Sequence, residues 1–358
     1  MDRTASSYRA RYLALRRRMG RLRSSNYDIS SICNLRCEGC LFFSGAAEES
    51  LREEKAPEAW RAFFKSEADR GVNFAYLAGA EPSLTPDRIR ACHESIPYGV
   101  VMTNGTKRVD PDIRYRIHVS LWGEETSSTL YRGADVNRRA FRNYAGDPRA
   151  VFVMMLHRLN LNDVTEVARR CADNGVQLTF NLFSPTTDYL ERIETREKSD
   201  FFRVSAEAPS MGFDADTLQR ARMVMSDAAE RFPDTVRTSP AYSRWVTQAG
   251  PLHHLDENGV ATDCGNRLTG WHRHYNADLS ENTGKCCSPN IDCSGCRAYL
   301  MSLATYLKRF MPESGSEEIN EDWLAVWEFW ASLFLPVEAV ADASYATDRP
   351  NASNNQPA

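Results

Sequence analysis

Ten cysteines stand in this chain of 358 residues, and eight fall into two groups: Cys33, Cys37 and Cys40 early, then Cys264, Cys286, Cys287, Cys293 and Cys296 late. No export signal accompanies them, and in a reducing compartment close-set cysteines more often bind metal than form disulfides. In the run Cys33-Asn-Leu-Arg-Cys37-Glu-Gly-Cys40, three thiolates can hold three irons of a 4Fe–4S cube and leave the fourth without a protein ligand. An open coordination position lets a metal centre bind a substrate directly. Zinc is the alternative, but it needs a fourth ligand, and the neighbouring sequence offers none.

The later group has a different build. Leu255-Asp-Glu-Asn-Gly259-Val-Ala-Thr-Asp-Cys264 reads as a hairpin turning near Asn258-Gly259 and delivering one cysteine. Cys286-Cys287 and the hook Cys293-Ser-Gly-Cys296 follow. Five cysteines suffice for one fully ligated cube, with one of the adjacent pair to spare, and not for two. A four-cysteine zinc site also suits the spacing, which does not choose between Cys286 and Cys287. Cys92 and Cys171 lie on helical segments and read as core packing. His272 and His274, between Trp271 and Tyr275, either line a pocket or lie in a solvated loop.

These residues need a scaffold, and the pattern supplies one. Strand-like runs are expected at Asn26–Ile32, Val72–Ala78, Tyr98–Thr103, Arg116–Trp122, Ala150–Leu156 and Val176–Phe183. Between them lie helical segments. One opens at Pro57 with Trp60, Phe63 and Phe64 on one face and Gly71 past its end; another carries Val164, Val167, Ala168 and Cys171 and stops before Gly175. Six strands alternating with helices predict an α/β fold, a partial (βα)6 TIM-like barrel. Chemistry in such sheets gathers at the C-terminal ends of the strands, and Cys33 is expected at one of them. Further on, helices are expected at Thr217–Phe232, Ser239–Gln248, Arg297–Phe310 and Asn320–Ala341, the last with Trp323, Trp327 and Trp330 on one packing side.

The order of these pieces resembles the radical SAM enzymes over residues 26–190. The cysteine run follows the first strand, as in that family's signature. Leu77-Ala-Gly79-Ala80-Glu81-Pro82 resembles its GGEP segment, Thr103-Asn104-Gly105 its third-strand turn, and Val119-Ser120-Leu121 its fourth strand. The resemblance implies a site-differentiated 4Fe–4S cluster on Cys33, Cys37 and Cys40, with S-adenosylmethionine (SAM) on its open iron. SAM contacts are then expected from Gly79, Ala80, Glu81, Asn104, Ser120, Arg158, Phe183 and Phe42. Two departures stand out: Gly39 replaces a usual aromatic, whose wall Phe42 or Phe43 would supply, and Ala80 replaces the second glycine. The later cysteines resemble the family's twitch or SPASM extensions, implying a second, auxiliary 4Fe–4S cluster. A reductant such as flavodoxin or ferredoxin is also implied.

The expected organisation is a basic N-terminal helix (1–25), the partial barrel (26–190), a helical connection (191–250), the auxiliary-cluster region (251–312), a C-terminal helix (313–346) and a disordered tail (347–358). The first 23 residues carry eight arginines, read as a solvated docked helix or a contact to an acidic substrate or partner. With 42% hydrophobic and 26% charged residues and net charge −4, nothing points to nucleic acid or membrane, and a cytoplasmic home is expected. The expected activity is reductive SAM cleavage followed by hydrogen abstraction from a small polar metabolite or natural-product intermediate, in a net oxidation or rearrangement. Two alternatives remain: a peptide maturase forming a cross-link in a ribosomally made precursor, and a zinc-stabilised binding module. No catalytic acid or base can be named.

Overall fold

The computed structural model describes residues 3–44, 51–204, 210–265, 271–282, 291–312 and 320–336. The chain begins with α1 (Arg3–Met19), then β1 (Ser24–Asp28), α2 (Pro57–Asp69), β2 (Phe74–Ala78), α3 (Pro86–Ser95), β3 (Tyr98–Thr103) and β4 (Arg116–Leu121). It continues through α4 (Glu125–Arg132), α5 (Asn137–Tyr144), β5 (Ala150–Leu156), α6 (Val164–Asp173) and β6 (Gln177–Leu182). The remainder comprises α7 (Thr187–Thr195), α8 (Ala215–Arg231), α9 (Pro240–Val246), β7 (His274–Tyr275), α10 (Tyr299–Arg309) and α11 (Glu321–Phe334).

All strand pairings are parallel, in the order β6-β5-β4-β3-β2-β1-β7, and β6 does not pair with β7. This is a partial barrel. Parallel strands covered by helices need apolar residues outward, and β4 supplies them: Ile117, Val119 and Leu121 are fully buried, alternating with Arg116, His118 and Ser120. β6 repeats the pattern, with Leu178, Phe180 and Leu182 against Gln177, Thr179 and Asn181.

The structure corrects three expectations. β1 ends at Asp28 rather than Ile32, which is 52% exposed, so the cysteine run sits in a loop well beyond the strand. A seventh strand exists: β7, inside the cysteine-rich segment, pairs with β1 through Asn26↔His274 and Tyr27↔Tyr275. It is anchored by Glu67, which accepts hydrogen bonds from Tyr27 at 2.7 Å and Tyr275 at 3.0 Å and pairs with Arg70. Finally, α11 stops at Phe334 because Pro336 forces Leu335 to extended backbone (φ −93°, ψ 143°). Residues 337–341 of that expected helix, and the tail, lie outside the described residues.

The terminal helices fill the open sheet. Phe334 packs against Tyr76, His118 and Tyr299, while Arg116 donates to the carbonyls of Ser332, Leu333 and Pro148 and to Gln177. The basic helix α1 docks on α11 rather than on the strands: Tyr12 meets Trp323 and Trp327, and Arg11 pairs with Glu328. Trp330 packs on Phe74. No helix among the described residues is long and apolar enough to cross a membrane.

Candidate functional site

At the C-terminal ends of the strands, one cavity of about 270 Å³ gathers Cys33, Cys37 and Cys40 with Gly79, Ala80, Glu81, Asn104, Ser120 and Phe183. A larger cavity, about 390 Å³, lies at the opposite end of the strands. Its central cation Arg149 is spent on Asp147 and on carbonyls, and no cysteine reaches it.

The cysteine loop is pinned by backbone. Glu38 N–H donates to the Tyr131 carbonyl at 2.7 Å, Gly39 N–H to Arg203 O, and Arg203 N–H to Cys37 O, both at 3.1 Å. The buried Glu38 carboxylate accepts from the Tyr189 hydroxyl at 3.0 Å. Gly39 has φ +52°, and a Cβ there would meet the rings of Phe183 and Tyr189 at 3.0 Å. Those two rings leave no room for a side chain at position 39. Phe42 packs edge-on against Phe43 and takes no part in the cavity wall.

The turn after β2 is equally committed. Gly79 has φ +117°, and a Cβ would lie 2.7 Å from Ser30 O. Ala80 donates its N–H to that same carbonyl at 2.8 Å, so carbonyl oxygens are what this turn can offer an ammonium group. Glu81 accepts from Ser83 N–H at 3.0 Å, Thr103 Oγ1 at 2.6 Å and Asn104 N–H at 2.7 Å. It acts as a strut between the ends of β2 and β3. Asn104 passes the strut on, donating to Asn34 Oδ1 at 2.8 Å and to Cys33 Sγ at 3.8 Å.

Arg158 is not in the cavity wall; it reaches outward to Asp214 at 3.8 Å. The cation that does line the cavity is Arg132, buried, donating from Nη1 to Ser120 O at 2.7 Å with its Nε unpartnered. The expectation for Arg158 is corrected accordingly: β5 ends at Leu156, and the turn carries residue 158 past the rim. His157 stays buried, its Nε2 without a partner, and burial pushes it down to about 3. His118, Trp122, Asn181 and Tyr299 also line the cavity. Burial and the neighbouring Cys37 push Cys40 up to about 12, and burial raises Cys33, so these thiols need a cation to ionise. Among the described residues no three His, Cys, Asp or Glu side chains converge on one ion. Three thiols on one cavity suit a 4Fe–4S cube, which takes three protein ligands and leaves one iron open.

Of the second group, Cys264, Cys293 and Cys296 meet in a small apolar cluster with Ala261, Ile291 and Met301, and Leu41, next to Cys40, packs on it. The hairpin turn stands at Gly259, with Leu255 facing Ala261. Cys286 and Cys287 lie outside the described residues. Cys92 and Cys171 are fully buried in the core. His272 and His274 neither line the cavity nor lie in solvent; their rings stack edge-on at 4.7 Å beside β1, and His272 Nδ1 meets Ser24 Oγ at 2.9 Å.

No family model matches the chain, and no curated protein does. Solved structures do. Native anSMEcpe with bound AdoMet is 14% identical, with 90% of this chain and 96% of that one covered and a TM-score of 0.50. SuiB of Streptococcus suis bound to precursor peptide SuiA is 13% identical, with 89% and 68% covered and a TM-score of 0.50. The chain shares their fold, an open parallel barrel wrapped by helices. In another SuiB crystal structure (TM-score 0.48) the chain spans 62% of the length of its match. Within this fold, the cysteine loop and the Gly79–Glu81 turn lie together at the C-terminal mouth of the barrel.

Proposed function

We propose that this chain is a radical SAM enzyme whose Cys33, Cys37 and Cys40 hold a site-differentiated 4Fe–4S cluster. The observation that carries the reading is the convergence of those thiols and the Gly79–Ala80–Glu81 turn on one cavity at the C-terminal ends of the strands. With cluster and SAM bound, the cofactors supply a 5′-deoxyadenosyl radical that takes hydrogen from a substrate C–H bond. The protein's own part is placement. Carbonyls of the turn receive the SAM ammonium, Arg132 and Ser120 take its carboxylate, and Phe183 and Trp122 flank its adenine while excluding water. An external one-electron reductant, flavodoxin or ferredoxin, completes the system.

Cys264, Cys293 and Cys296, with one of Cys286 and Cys287, are proposed to hold an auxiliary 4Fe–4S cluster that accepts an electron or anchors the substrate. The net reaction is read as an oxidation or rearrangement of a small polar metabolite or natural-product intermediate. A second reading, maturation of a ribosomal peptide, draws on the fold shared with SuiB, which is seen with a precursor peptide. The test is anaerobic reconstitution followed by SAM and dithionite. Wild type should release 5′-deoxyadenosine, and the Cys33→Ala/Cys37→Ala/Cys40→Ala variant should release none. Undiminished release from the triple variant would sink the assignment.

A further inference from the structure

The cavity wall has two storeys. Side chains on a strand alternate with period two. Asn104, Ser120, Met155 and Phe183 form the rim beside the cysteines, and Met102, His118, Val153 and Asn181 stand two residues earlier along the same strands, one layer deeper. The SAM site proposed above uses the rim alone. Tyr299, at the start of α10, also lines this cavity.

Two backbone groups fix the polarity of the deeper layer. The Leu333 carbonyl can only accept, so His118 Nε2, 2.9 Å away, carries the ring's proton. Nδ1 is then a bare lone pair, and its 2.7 Å bond to Tyr299 Oη is donated by the phenol. Burial holds this imidazole neutral, pushing it down to about 3. With its proton committed, the Tyr299 oxygen can show the cavity only lone pairs. Asn181 is set the same way: Tyr299 N–H donates to its Oδ1 at 2.9 Å, so the amide cannot flip and Nδ2 is left to the cavity as a donor. Around this one acceptor and one donor the layer is apolar, Met102 and Val153, the usual build of a small-molecule site.

We infer that the deeper layer binds the substrate and that it takes an amide, whose N–H donates to Tyr299 Oη and whose C=O accepts from Asn181 Nδ2. The inference rests on the reading of the rim as the SAM site. A carboxylate has no donor for Tyr299, an ammonium no acceptor for Asn181, and an ester lacks the N–H. Both a peptide bond and a carboxamide metabolite offer the pair.

The test uses the full reconstituted protein, with and without SAM, and ligand-observed NMR of four probes: N-ethylacetamide, its ester isostere ethyl acetate, propanamide and 2-butanol. N-Ethylacetamide or propanamide should bind, and ethyl acetate should bind about tenfold more weakly, the effect of one lost hydrogen bond at a buried partner. Preference for the secondary amide points to a peptide, and preference for propanamide to a carboxamide metabolite. Tyr299→Phe removes the acceptor, and Asn181→Asp removes the donor while keeping the oxygen that holds Tyr299 N–H. Each should erase the preference for amide over ester with SAM binding unchanged. Equal binding of amide and ester, tightest binding of 2-butanol, or unaltered selectivity in both variants would overturn the inference. Because selectivity is also read without SAM, a failure to bind SAM would count against the rim alone.

Discussion

Single residues in this site spend much of their bonding on one another. Glu81, the residue expected to meet SAM directly, already accepts three hydrogen bonds from the ends of β2 and β3. Changing it to Gln should therefore loosen the whole rim. We expect a stability loss of about 1.5–3 kcal/mol, the range for hydrogen bonds to a charged group, seen in chemical denaturation together with weaker SAM binding. Unchanged stability with weakened SAM binding would instead mark a direct contact. Gly39 is bound by its surroundings as well: Gly39→Phe should abolish cluster assembly, because the new ring meets Phe183 and Tyr189 at a positive φ. Measured iron content checks this. The cysteines and the Gly79–Glu81 turn were readable in the sequence because their chemistry is local. His118 and Asn181 were missed, although a signal existed: in Arg-Ile-His-Val-Ser-Leu and Gln-Leu-Thr-Phe-Asn-Leu the polar residues recur with period two, marking a face that looks into the barrel. Arg132 had no such signal, since the fold alone turns the end of α4 toward Ser120.

Among elements, β7 is the least legible and among the most informative. Two residues carry no pattern, and nothing local announces a pairing with β1 across the length of the chain. Beside it His272 and His274 are held neutral by burial, pushed down to about 3 and about 4. In the unfolded chain they titrate near ~6.5. Over that interval the unfolded state binds more protons, so their stabilisation is present above about pH 6.5 and is lost as pH falls toward 4. The protection factor of the Asn26 amide, which donates to Arg273 O, should fall over the same interval, and His272→Phe should flatten the fall. A protection factor independent of pH would show that β7 is not held in this way. At the other end Arg116 pins α11 through two of its last carbonyls. Arg116→Met should cost about 2–3 kcal/mol and release α11 from β4, measurable by limited proteolysis near Phe334.

For the molecule as a whole, the alternation of strands and helices was enough to predict an open parallel barrel, since each strand's apolar face follows from sequence. The closure of its open side was not, because the residues through which α10 and α11 meet the strands, such as Tyr299 on Asn181 and Phe334 on Tyr76 and His118, carry no local sign of their partners. Leu41, next to Cys40, packs on the cluster that holds Cys264, Cys293 and Cys296. Reconstituted wild type should hold about eight irons per chain, two cubes of four, and the triple variant of the first group about half. Four irons with one zinc would refute the auxiliary cluster and leave the first group standing.

The position of β7 also sets an order of events during synthesis. Strand β1 is made well before the partner of its outer edge, His274 and Tyr275. At ~5–20 residues per second on a ribosome, that edge waits on the order of tens of seconds with its hydrogen-bonding groups unpaired, a standing invitation to foreign strands. Arginines stand at this end, Arg16, Arg17, Arg18, Arg21 and Arg23 immediately before β1. Like charge on neighbouring copies opposes the approach of one such edge to another. Neutralising these arginines is expected to lower the soluble yield of newly made protein while leaving the refolded, purified form as stable as before.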